Sequence, residues 1–580
     1  MNNRVILQDK QGDRWLHFSD PLQVVTTGDP AEVPRLVLEI ETLVEERGLY
    51  AAGFLSYEAA PAFDDALVVR PPSGLPLLWF GLYEQPDETI DLKGRAPYQV
   101  GEWKASVSRA DYDQAVARIK DYIASGATYQ VNYTYRLCAP FQGEPWGLFL
   151  DLIRAQQPAY AAYVDLGAHV ICSASPELFF VLNGPHLSSR PMKGTVERGR
   201  TLGEDRAKAE WLHHSEKNRA ENVMIVDMIR NDMGRVGEIG SVAVPSLFDV
   251  ERYPTLWQMT STVTCRTDAS LSGIMAALFP CASITGAPKV STMGIIAELE
   301  TSPRGVYTGC VGYIAPGRQA QFNVAIRTVV VDCARGEAEF GVGGGIVWDS
   351  GTDSEYAESL TKAQILFDRR PPFQLLESLL WTPEDGYFLL TEHLERLTDS
   401  AAYFGYECDG GKLLDELHEF SEGLPPAAQK VRLLLARDGA ARLEASAVGS
   451  TEPAVVGLAR TPVKSEDVFL FHKTTNRAVY RNASLSRPEC DEVLLWNERG
   501  ELTEATTANV VVHLGGDLLT PPVSSGLLAG TFRNHLLAKG IIREQVIRVS
   551  DLERCQTVYL VNSVRKWREA YLRQPTRQAG

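Results

Sequence analysis

Residues 343–363 read GGGIVWDSGTDSEYAESLTKA, and this stretch decides the fold of the larger part of the chain. It follows an apolar, β-rich run and continues into a segment with helical spacing. Glu355 and Glu358 are three residues apart, so both carboxylates point from one helix face. Glycine lets an anion approach backbone N–H groups, and three stand in a row: Gly343, Gly344 and Gly345. The stretch indicates an ion-binding site, with a tight turn and a solvated helix face as the alternatives.

Composition bounds the class of protein. The 580 residues carry 57 basic and 74 acidic side chains, which gives a formal net charge of −17. This charge disfavours binding to nucleic acid or to a membrane surface, because phosphates are bound by clustered lysine and arginine. Nine scattered cysteines include no CxxC pair, and no apolar run is long enough for a membrane span. We expect a soluble, cytoplasmic protein of several domains.

The clearest domain boundary is at residues 368–373, DRRPPF, where two prolines stop a helical pattern. Weaker breaks lie at 423–429, GLPPAAQ, and at 449–453, GSTEP. The predicted organisation is an N-terminal part over 1–100, a main domain over 101–368, a linker over 369–373, and a further domain of two smaller units over 374–580.

Hydrophobic periodicity predicts an α/β (α+β) class with long sheets in the first domain. Helices are expected at 110–125 and 220–233. Strands are expected at 160–165, 169–172, 178–182, 306–314, 321–331 and 338–342.

Two more features belong with the glycines and the glutamate pair. Glu221 opens the apolar helical segment AENVMIVDMIRND, and Arg327 follows a strand in QFNVAIRT. Proteins hold Mg²⁺ through one or two carboxylates together with substrate oxygens and water. No Gly-Lys-Ser/Thr follows the three glycines, so they are not a nucleotide P-loop. The residues are consistent with a magnesium ion beside an anionic substrate.

Eight stretches, read in order, resemble the family of chorismate-utilising enzymes, which includes anthranilate, aminodeoxychorismate, isochorismate and salicylate synthases. They cover roughly residues 100–367: YQVNYTYR (129–136), SASPELF (173–179), RPMKGTVERG (190–199), NRAENVMIVDMIRNDMGR (218–235), SITGAPKVSTM (283–293), GCVGYI (309–314), QFNVAIRT (321–328) and the stretch at 343–363. The resemblance implies a two-sheet α/β sandwich, chorismate as substrate and Mg²⁺ as cofactor.

The resemblance also implies a role for each matched residue. The magnesium site is a set of carboxylates: Glu221 and Glu358 as ligands, with Glu355 in the surrounding shell. The general acid is Glu177. The groups that bind the substrate carboxylate are Tyr313, Arg327 and the amides of the glycine run at 343–345.

Two residues distinguish the reactions of this family. Isochorismate and salicylate synthases have lysine where this chain has Gln130, and glutamine cannot act as a base, so ammonia is the expected nucleophile. Anthranilate synthases have alanine where this chain has Lys193, whereas aminodeoxychorismate synthases have lysine. A desolvated lysine amine beside a metal ion can act as a nucleophile. The resemblance therefore implies an aminodeoxychorismate synthase, with a carboxylate clamp as the alternative role for Lys193.

The ammonia needs a source. A glutaminase of the triad type requires a nucleophilic cysteine between glycines and a His-x-Glu pair. Gly309–Gly312, GCVG, belongs to the chorismate motif, and His393-Leu394-Glu395 belongs to a second motif described next. We expect a separate class-I glutaminase subunit as the partner.

After residue 370, four motifs in family order resemble the pyridoxal-phosphate enzymes of fold type IV: HLERL, HKTTNR, LTEATTANV and LLAGTFR. This resemblance spans about 374–571. It implies Lys473 as the lysine that binds the cofactor covalently and Glu504 as the partner of the pyridine nitrogen. It implies phosphate contacts from Arg396, Gly530 and Thr531, the last two at a helix start.

The resemblance leaves the reaction of the second domain open. Branched-chain and D-amino-acid aminotransferases and aminodeoxychorismate lyases share these motifs, and this chain departs from them at the entry, PPFQLLESLL. Fusion to an aminodeoxychorismate synthase favours the lyase. The alternatives are an aminotransferase, an anthranilate synthase fused to one, and a scaffold with degenerate sites. A homodimer through this domain is a further expectation.

Overall fold

The computed structural model describes residues 3–72, 74–88, 90, 92, 94, 96–367 and 372–573. The chain divides into two units: unit 1 comprises residues 1–197 and 209–370, and unit 2 comprises residues 198–208 and 371–580. The sequence did not indicate that 198–208 would join unit 2. Residues 369–371 of the predicted linker lie outside the described residues, so the linker stays a prediction.

Unit 1 contains two large, mainly antiparallel sheets. The strands are β1 Arg4–Asp9, β2 Arg14–Phe18, β3 Gln23–Thr27, β4 Tyr50–Leu55, β5 Leu78–Tyr83, β6 Tyr98–Val100, β7 Lys104–Ala105, β8 Gln130–Gly143, β9 Tyr160–Asp165, β10 His169–Ser175, β11 Leu178–Asn183, β12 His186–Arg190, β13 Met192–Glu197, β14 Ala243–Arg252, β15 Leu256–Arg266, β16 Gly286–Ala287, β17 Cys310–Ala315, β18 Gln319–Val324, β19 Thr328–Asp332 and β20 Glu337–Ile346. The first sheet has the order β16-β8-β20-β19-β10-β9-β1-β2, with β6 and β7 paired to β8. The second has the order β13-β15-β12-β11-β18-β17-β4-β5-β3, with β14 paired to β15.

Helices alternate with these strands along the chain. They are α1 Val33–Arg47, α2 Arg109–Ala124, α3 Pro145–Gln156, α4 Leu202–His214, α5 Glu216–Gly234, α6 Leu271–Leu278, α7 Lys289–Leu299 and α8 Thr352–Ala363. The first residues of α4 belong to unit 2. One core joins α2, α3 and α7 to the first sheet, and another joins α1, α5 and α6 to the second. A third core, which includes Val5, Phe54 and Val311, lies between the sheets. These layers form the α/β sandwich that the sequence predicts.

Unit 2 has two smaller sheets and its own cores. The strands are β21 Leu375–Thr382, β22 Gly386–Tyr387, β23 Gln429–Leu435, β24 Ala441–Ala447, β25 Ala454–Leu458, β26 Glu492–Trp496, β27 Leu502–Ala505, β28 Asn509–Leu514, β29 Asp517–Thr520, β30 Arg543–Glu544, β31 Thr557–Asn562 and β32 Lys566–Leu572. The helices are α9 Leu390–Phe404, α10 Gly410–Glu422, α11 Ala478–Ser486 and α12 Thr531–Ala538. The order β22-β21-β23-β24 forms one sheet, and β27-β26-β25-β32-β31-β28-β29-β30 forms the other. The predicted break at 449–453 falls between them.

Two predicted strands need correction. The strand expected at 306–314 begins only at Cys310, and the one expected at 321–331 is divided into β18 and β19. Arg327 lies in this division with a φ of 53°, a left-handed conformation that a strand cannot contain. The sequence gives no sign of this break, because glycine is the usual signal for a turn inside an apolar run, and the residue that turns the chain here is an arginine.

Among the described residues, no helix combines the length and the apolar character that crossing a bilayer requires.

Candidate active sites

A cavity of about 180 Å³ in unit 1 brings together most of the residues predicted for the first site. The predicted residues that line it are Glu177, Lys193, Glu221, Arg327, Gly343, Gly345, Glu355 and Glu358. They come from both sheets and from α5 and α8, so segments up to about 180 residues apart in sequence meet here. The arrangement places three amines, a guanidinium and four carboxyl groups around one small space, since Lys217 and Lys362 also line it.

The glycine run forms part of strand β20, so the alternative of a tight turn is wrong. The ladder between β20 and β8 continues to Ile346, whereas β19 pairs with β20 only as far as Phe340. At the glycines, the edge of β20 that faces away from β8 is therefore not paired with β19. A Cβ on Gly345 would lie 2.0 Å from Gln130 Nε2, and one on Gly343 would lie 2.1 Å from the Tyr133 carbonyl oxygen. A side chain at Gly343 would therefore collide with backbone, and one at Gly345 would have to displace the amide of Gln130.

A bulge in strand β13 presents Lys193 to the cavity. Met192 pairs with Thr260 and Thr195 pairs with Gln258, so β13 has one residue more than its partner over this interval. Gly194 has a φ of 92°, which favours glycine. The sequence Lys-Gly in PMKGT thus specifies the local bend. Burial lowers the pKa of Lys193, and the neighbouring charge of Lys362 lowers it further.

Glu177 is a buried carboxyl group in the short connection between β10 and β11. Its side chain is 3% exposed, and its Oε1 has no hydrogen-bond partner. Burial raises the pKa of Glu177 to about 7, against opposing contributions from Ser283 and Lys193. A carboxyl group that is protonated near neutral pH can donate a proton, which a general acid must do.

Lysines accompany the carboxylates that the sequence assigns to magnesium. Lys362 Nζ lies 2.8 Å from Glu358 Oε1 and donates a hydrogen bond of 2.9 Å to the Gly343 carbonyl. Lys217 Nζ lies 4.0 Å from Glu221 Oε1. Within the described ranges, no group of three acidic, histidine or cysteine side chains is close enough to hold a metal ion.

The donor set nevertheless fits Mg²⁺. Glu221 and Glu358 supply hard oxygen ligands from two helices to one cavity, and Mg²⁺ usually completes its shell with water and substrate oxygens. Glu355 accepts a hydrogen bond of 2.6 Å from Ser350, and burial raises its pKa, which fits a position outside the innermost shell.

The structure does not bring Tyr313 to this cavity. Tyr313 lies in the core between the two sheets, where its neighbours include Val311 and where Asp9 and Arg14 influence its pKa. Tyr307 lines the cavity instead, and a Cβ on Gly341 would lie 2.3 Å from its ring. Sequence reasoning missed Tyr307 because it selected the tyrosine inside the GCVGYI strand. Alternation along β17 was the available signal, since odd-numbered residues of that strand face the other sheet.

Gln130 and Gly344 do not line the cavity, although both lie next to it. Gln130 is 1% exposed, and its Oε1 has no hydrogen-bond partner. A Cβ on Gly345 would be within 3.2 Å of both Gln130 and the Lys193 amine. A Cβ on Gly344 would lie 3.3 Å from Lys362 Nζ. The Gln130 amide and the Lys193 amine therefore lie on the same side of Gly345.

A second cavity, of about 350 Å³, lies in unit 2 and contains every residue predicted for the cofactor. These residues are Arg396, Lys473, Glu504, Gly530 and Thr531. The Lys473 carbonyl accepts a hydrogen bond of 3.0 Å from the Leu376 N–H, so β21 fixes its backbone. Burial lowers the pKa of Lys473 to about 8, with a further contribution from Arg396. A lysine with a lowered pKa supplies the neutral amine that carbonyl chemistry requires.

Glu504, which lies on strand β27, accepts hydrogen bonds from three neighbours. Tyr480 donates to Oε1 at 2.7 Å, the Leu528 N–H donates to Oε1 at 3.3 Å, and Asn509 donates to Oε2 at 3.3 Å. Burial raises the pKa of Glu504 to about 7. A positively charged pyridine nitrogen would complement this carboxylate, so the site fits pyridoxal phosphate.

Arg396 is fixed by a buried carboxylate that the sequence did not identify. Its Nε and Nη2 donate to the two oxygens of Glu377 at 2.9 and 2.6 Å, and His393 Nδ1 lies 2.7 Å from Glu377 Oε2. These contacts lower the pKa of Glu377 to about 2 although burial opposes them. His393 and Arg396 are three residues apart on α9, a spacing that could have indicated a shared partner.

The start of α12 is open to an anion. Gly530 is its N-cap and Thr531 its first residue, and no side chain caps the free N–H groups. A helix start of this kind favours phosphate. A Cβ on Gly530 would lie 2.0 Å from Asn509 Oδ1, so a larger residue there would have to displace the side chain that holds Glu504.

Comparisons with known proteins find a family for each of two parts of the chain. Residues 2–368 match the sequence model of the family described as chorismate binding enzyme, and residues 374–570 match that of amino-transferase class IV. Aminodeoxychorismate synthase component 1 of Salmonella typhimurium is 40% identical over 271 residues, which are 46% of this chain and 59% of that protein. Anthranilate synthase component 1 of Streptomyces coelicolor is 33% identical over 407 residues, 60% of this chain and 79% of that protein.

Solved structures show the same fold for unit 1. The crystal structure of anthranilate synthase component I from Streptococcus pneumoniae has a TM-score of 0.53 and 23% identity, and the match covers 63% of this chain and 92% of that one. The chain spans about three fifths of the length of the bacterial component 1 relatives it matches. The chain belongs to the family of chorismate binding enzymes and carries an amino-transferase class IV domain after it.

Proposed function

We propose that the chain makes 4-aminobenzoate from chorismate in two steps. Unit 1 replaces the C4 hydroxyl of chorismate by an amino group, which gives 4-amino-4-deoxychorismate and water. Unit 2 then eliminates pyruvate from that product, and the remaining ring becomes aromatic. Relatives of unit 1 that carry the name aminodeoxychorismate synthase component 1, with 39–41% identity, support the first step.

The observation that carries the first step is the meeting of Lys193 and Glu177 in one cavity. Protonated Glu177 gives its proton to the departing C4 hydroxyl, and the neutral amine of Lys193 forms a bond to C2. Both ring double bonds shift in this step; ammonia then adds at C4, the two double bonds shift back, and the lysine amine leaves C2. Lys193 needs a low pKa and Glu177 a high one, and burial shifts both in these directions.

Magnesium belongs to this proposal through Glu221 and Glu358. These two residues would hold the ion, which supplies positive charge for the ring carboxylate of chorismate. Arg327 and Tyr307 would bind the other carboxylate of chorismate. Arg327 is partly buried, and desolvation lowers its pKa to about 10, so it is charged at neutral pH and an anionic partner would stabilise it.

Pyridoxal phosphate belongs to unit 2. Lys473 would bind it covalently, Glu504 would pair with its ring nitrogen, and the start of α12 with Arg396 would hold its phosphate. The cofactor supplies an electron sink for the bonds made and broken at the substrate. Lys473 is the group placed to move the ring proton whose loss, with pyruvate, leaves an aromatic product.

We further propose ammonia from a separate class-I glutaminase subunit, a cytoplasmic location, and a homodimer through unit 2. The resemblance to fold-type IV enzymes supports the homodimer. The absence of a catalytic triad motif from the sequence supports the partner.

Product identification tests the proposal. The chain with chorismate, Mg²⁺ and ammonium should yield 4-aminobenzoate when pyridoxal phosphate is present. Without the cofactor it should yield 4-amino-4-deoxychorismate. Formation of 2-aminobenzoate would instead assign anthranilate synthesis to unit 1.

A further inference from the structure

Cationic side chains form one part of the wall of the unit 2 cavity. They are Lys430 and Arg432 on β23, Arg477 before α11, and Arg565 in the turn between β31 and β32. Lys430 and Arg432 are two residues apart on one strand, so their side chains leave the same face of the sheet. All four are partly buried. We call this set the cationic wall.

The cationic wall has fewer acidic partners than cations. Arg432 Nη1 lies 3.0 Å from Glu444, its cross-strand neighbour, and Arg565 Nη2 lies 3.5 Å from Glu492. In the part of the chain that the structure describes, no carboxylate lies within 4 Å of the Lys430 amine or the Arg477 guanidinium. Arg477 contacts the Thr506 carbonyl and the ring of Tyr480 instead. Two positive charges of the wall are thus left without a carboxylate.

These charges act on one another. Burial lowers the pKa of Lys430, and the charges of Arg432, Arg565 and Arg477 lower it further. Arg477 also lowers the pKa of Lys473, so the wall begins beside the lysine assigned to the cofactor. Because like charges in a partly buried site repel, a bound anion would relieve the repulsion and be held strongly.

The phosphate does not account for the wall. Arg396 on α9 and the open N–H groups at the start of α12, which the proposed function assigns to the phosphate, belong to other elements than the wall. A branched-chain amino acid has one carboxylate and an apolar side chain, and it would need an apolar wall. The cationic wall suits a substrate with a second anionic group.

We propose that Lys430 and Arg565 bind a second carboxylate, so that unit 2 selects an amino dicarboxylate over monocarboxylic amino acids. This inference rests on the proposed function of unit 2 and identifies the substrate class of that site. 4-Amino-4-deoxychorismate has a ring carboxylate and an enolpyruvyl carboxylate. Arg432 and Arg477 would bind the other carboxylate of this substrate.

Binding of unreactive probes tests the inference on the full chain loaded with pyridoxal phosphate. Isophthalate is an aromatic dicarboxylate, and benzoate is its monocarboxylate counterpart. Titration of each probe, followed by the change in cofactor absorbance and by inhibition of 4-aminobenzoate formation, should show isophthalate binding at least about tenfold more tightly. Equal affinity for the two probes would overturn the inference.

Variants assign the effect to the wall. Lys430→Gln and Arg565→Gln should each weaken isophthalate by roughly 10- to 100-fold, the value of a charge-assisted hydrogen bond, while benzoate changes little. Lys430→Arg should retain most of the affinity. Lys412→Gln is the matched control, because Lys412 is 66% exposed on α10 and does not line the cavity. The inference would be contradicted if Lys430→Gln and Arg565→Gln kept the cofactor spectrum and bound isophthalate with the same affinity as Lys412→Gln.

The two proposals can fail separately. One outcome is that the wild-type chain fails to convert 4-amino-4-deoxychorismate while isophthalate binding still depends on Lys430 and Arg565. In that case the lyase function is wrong and the dicarboxylate site is supported. If the wild-type chain makes 4-aminobenzoate and both variants keep its KM, the lyase stands and the wall has no role in selection.

Discussion

At the scale of the residue, environment gives ordinary side chains unusual chemistry. Glu177 and Lys193 line the same cavity, yet burial raises the pKa of one and lowers that of the other. Both shifts favour the uncharged form. A step with a departing hydroxyl and an attacking amine needs a protonated acid and a neutral amine, and the two shifts are in these directions.

Lys193→Ala should lower kcat for 4-amino-4-deoxychorismate by roughly 100-fold or more with a modest change in KM. Removing a nucleophile forces a harder direct substitution, whereas removing a binding charge mainly weakens binding. Steady-state kinetics with ammonium and product analysis measure this effect. A variant with near-normal kcat would reduce Lys193 to a carboxylate clamp.

The synthase should lose activity as the pH rises through about 7. Glu177 acts in its protonated form, and a raised pKa means that this form is present below about 7 and is lost above it. The measurement is kcat/KM for chorismate against pH at a fixed concentration of neutral ammonia. Glu177→Gln should lower the rate by about 100-fold or more and abolish this alkaline limb. An unchanged limb in the variant would assign it to another group.

At the scale of the element, the sequence indicated most of the pieces but not their contacts. Helical spacing indicated α5 and α8 and the shared face of Glu355 and Glu358, whereas the metal roles of Glu221, Glu355 and Glu358 came from the family resemblance. The bulge at Lys193 was not predicted, because an extra residue in β13 is visible only against its partner β15. Tyr307 escaped for a similar reason, since only the packing of its ring on Gly341 brings it to the cavity.

Glu221→Gln and Glu358→Gln should each raise the Mg²⁺ requirement of the synthase by at least about tenfold and leave the lyase intact. Each change removes one anionic ligand from a set that has two. Mg²⁺ titration of both activities measures this effect. Glu210→Gln is the control, since Glu210 is 76% exposed on α4. An unchanged Mg²⁺ requirement in both variants would place the ion elsewhere.

Gly530→Ala should weaken pyridoxal phosphate binding by displacing Asn509 at the start of α12. The added Cβ would lie 2.0 Å from Asn509 Oδ1, and Asn509 is one of the three groups that hold Glu504. Gly410→Ala, at the start of α10, is the control, because its nearest atom would be 4.0 Å away. Cofactor absorbance during dialysis compares the two. Equal retention would show that the site tolerates the side chain.

At the scale of the whole molecule, two sites with different chemistry lie in two units of one chain. Each unit has its own sheets, cores and cavity. Family motifs predicted both sites, because each motif places chemically demanding residues in a fixed order. They did not predict the cationic wall, since Lys430 and Arg565 are 135 residues apart in sequence and belong to no common motif.

A single exchange experiment tests the central claim, that the two units catalyse consecutive reactions. Lys473→Ala is given chorismate, ammonium, Mg²⁺ and pyridoxal phosphate. The protein is then removed by filtration, and the filtrate is given to Lys193→Ala. The first protein should consume chorismate, accumulate 4-amino-4-deoxychorismate and lack the absorbance of covalently bound cofactor. The second should convert the filtrate to 4-aminobenzoate and pyruvate in equal amounts. Wild-type rates of 4-aminobenzoate formation by Lys473→Ala alone, or a filtrate that Lys193→Ala leaves unchanged, would contradict the account.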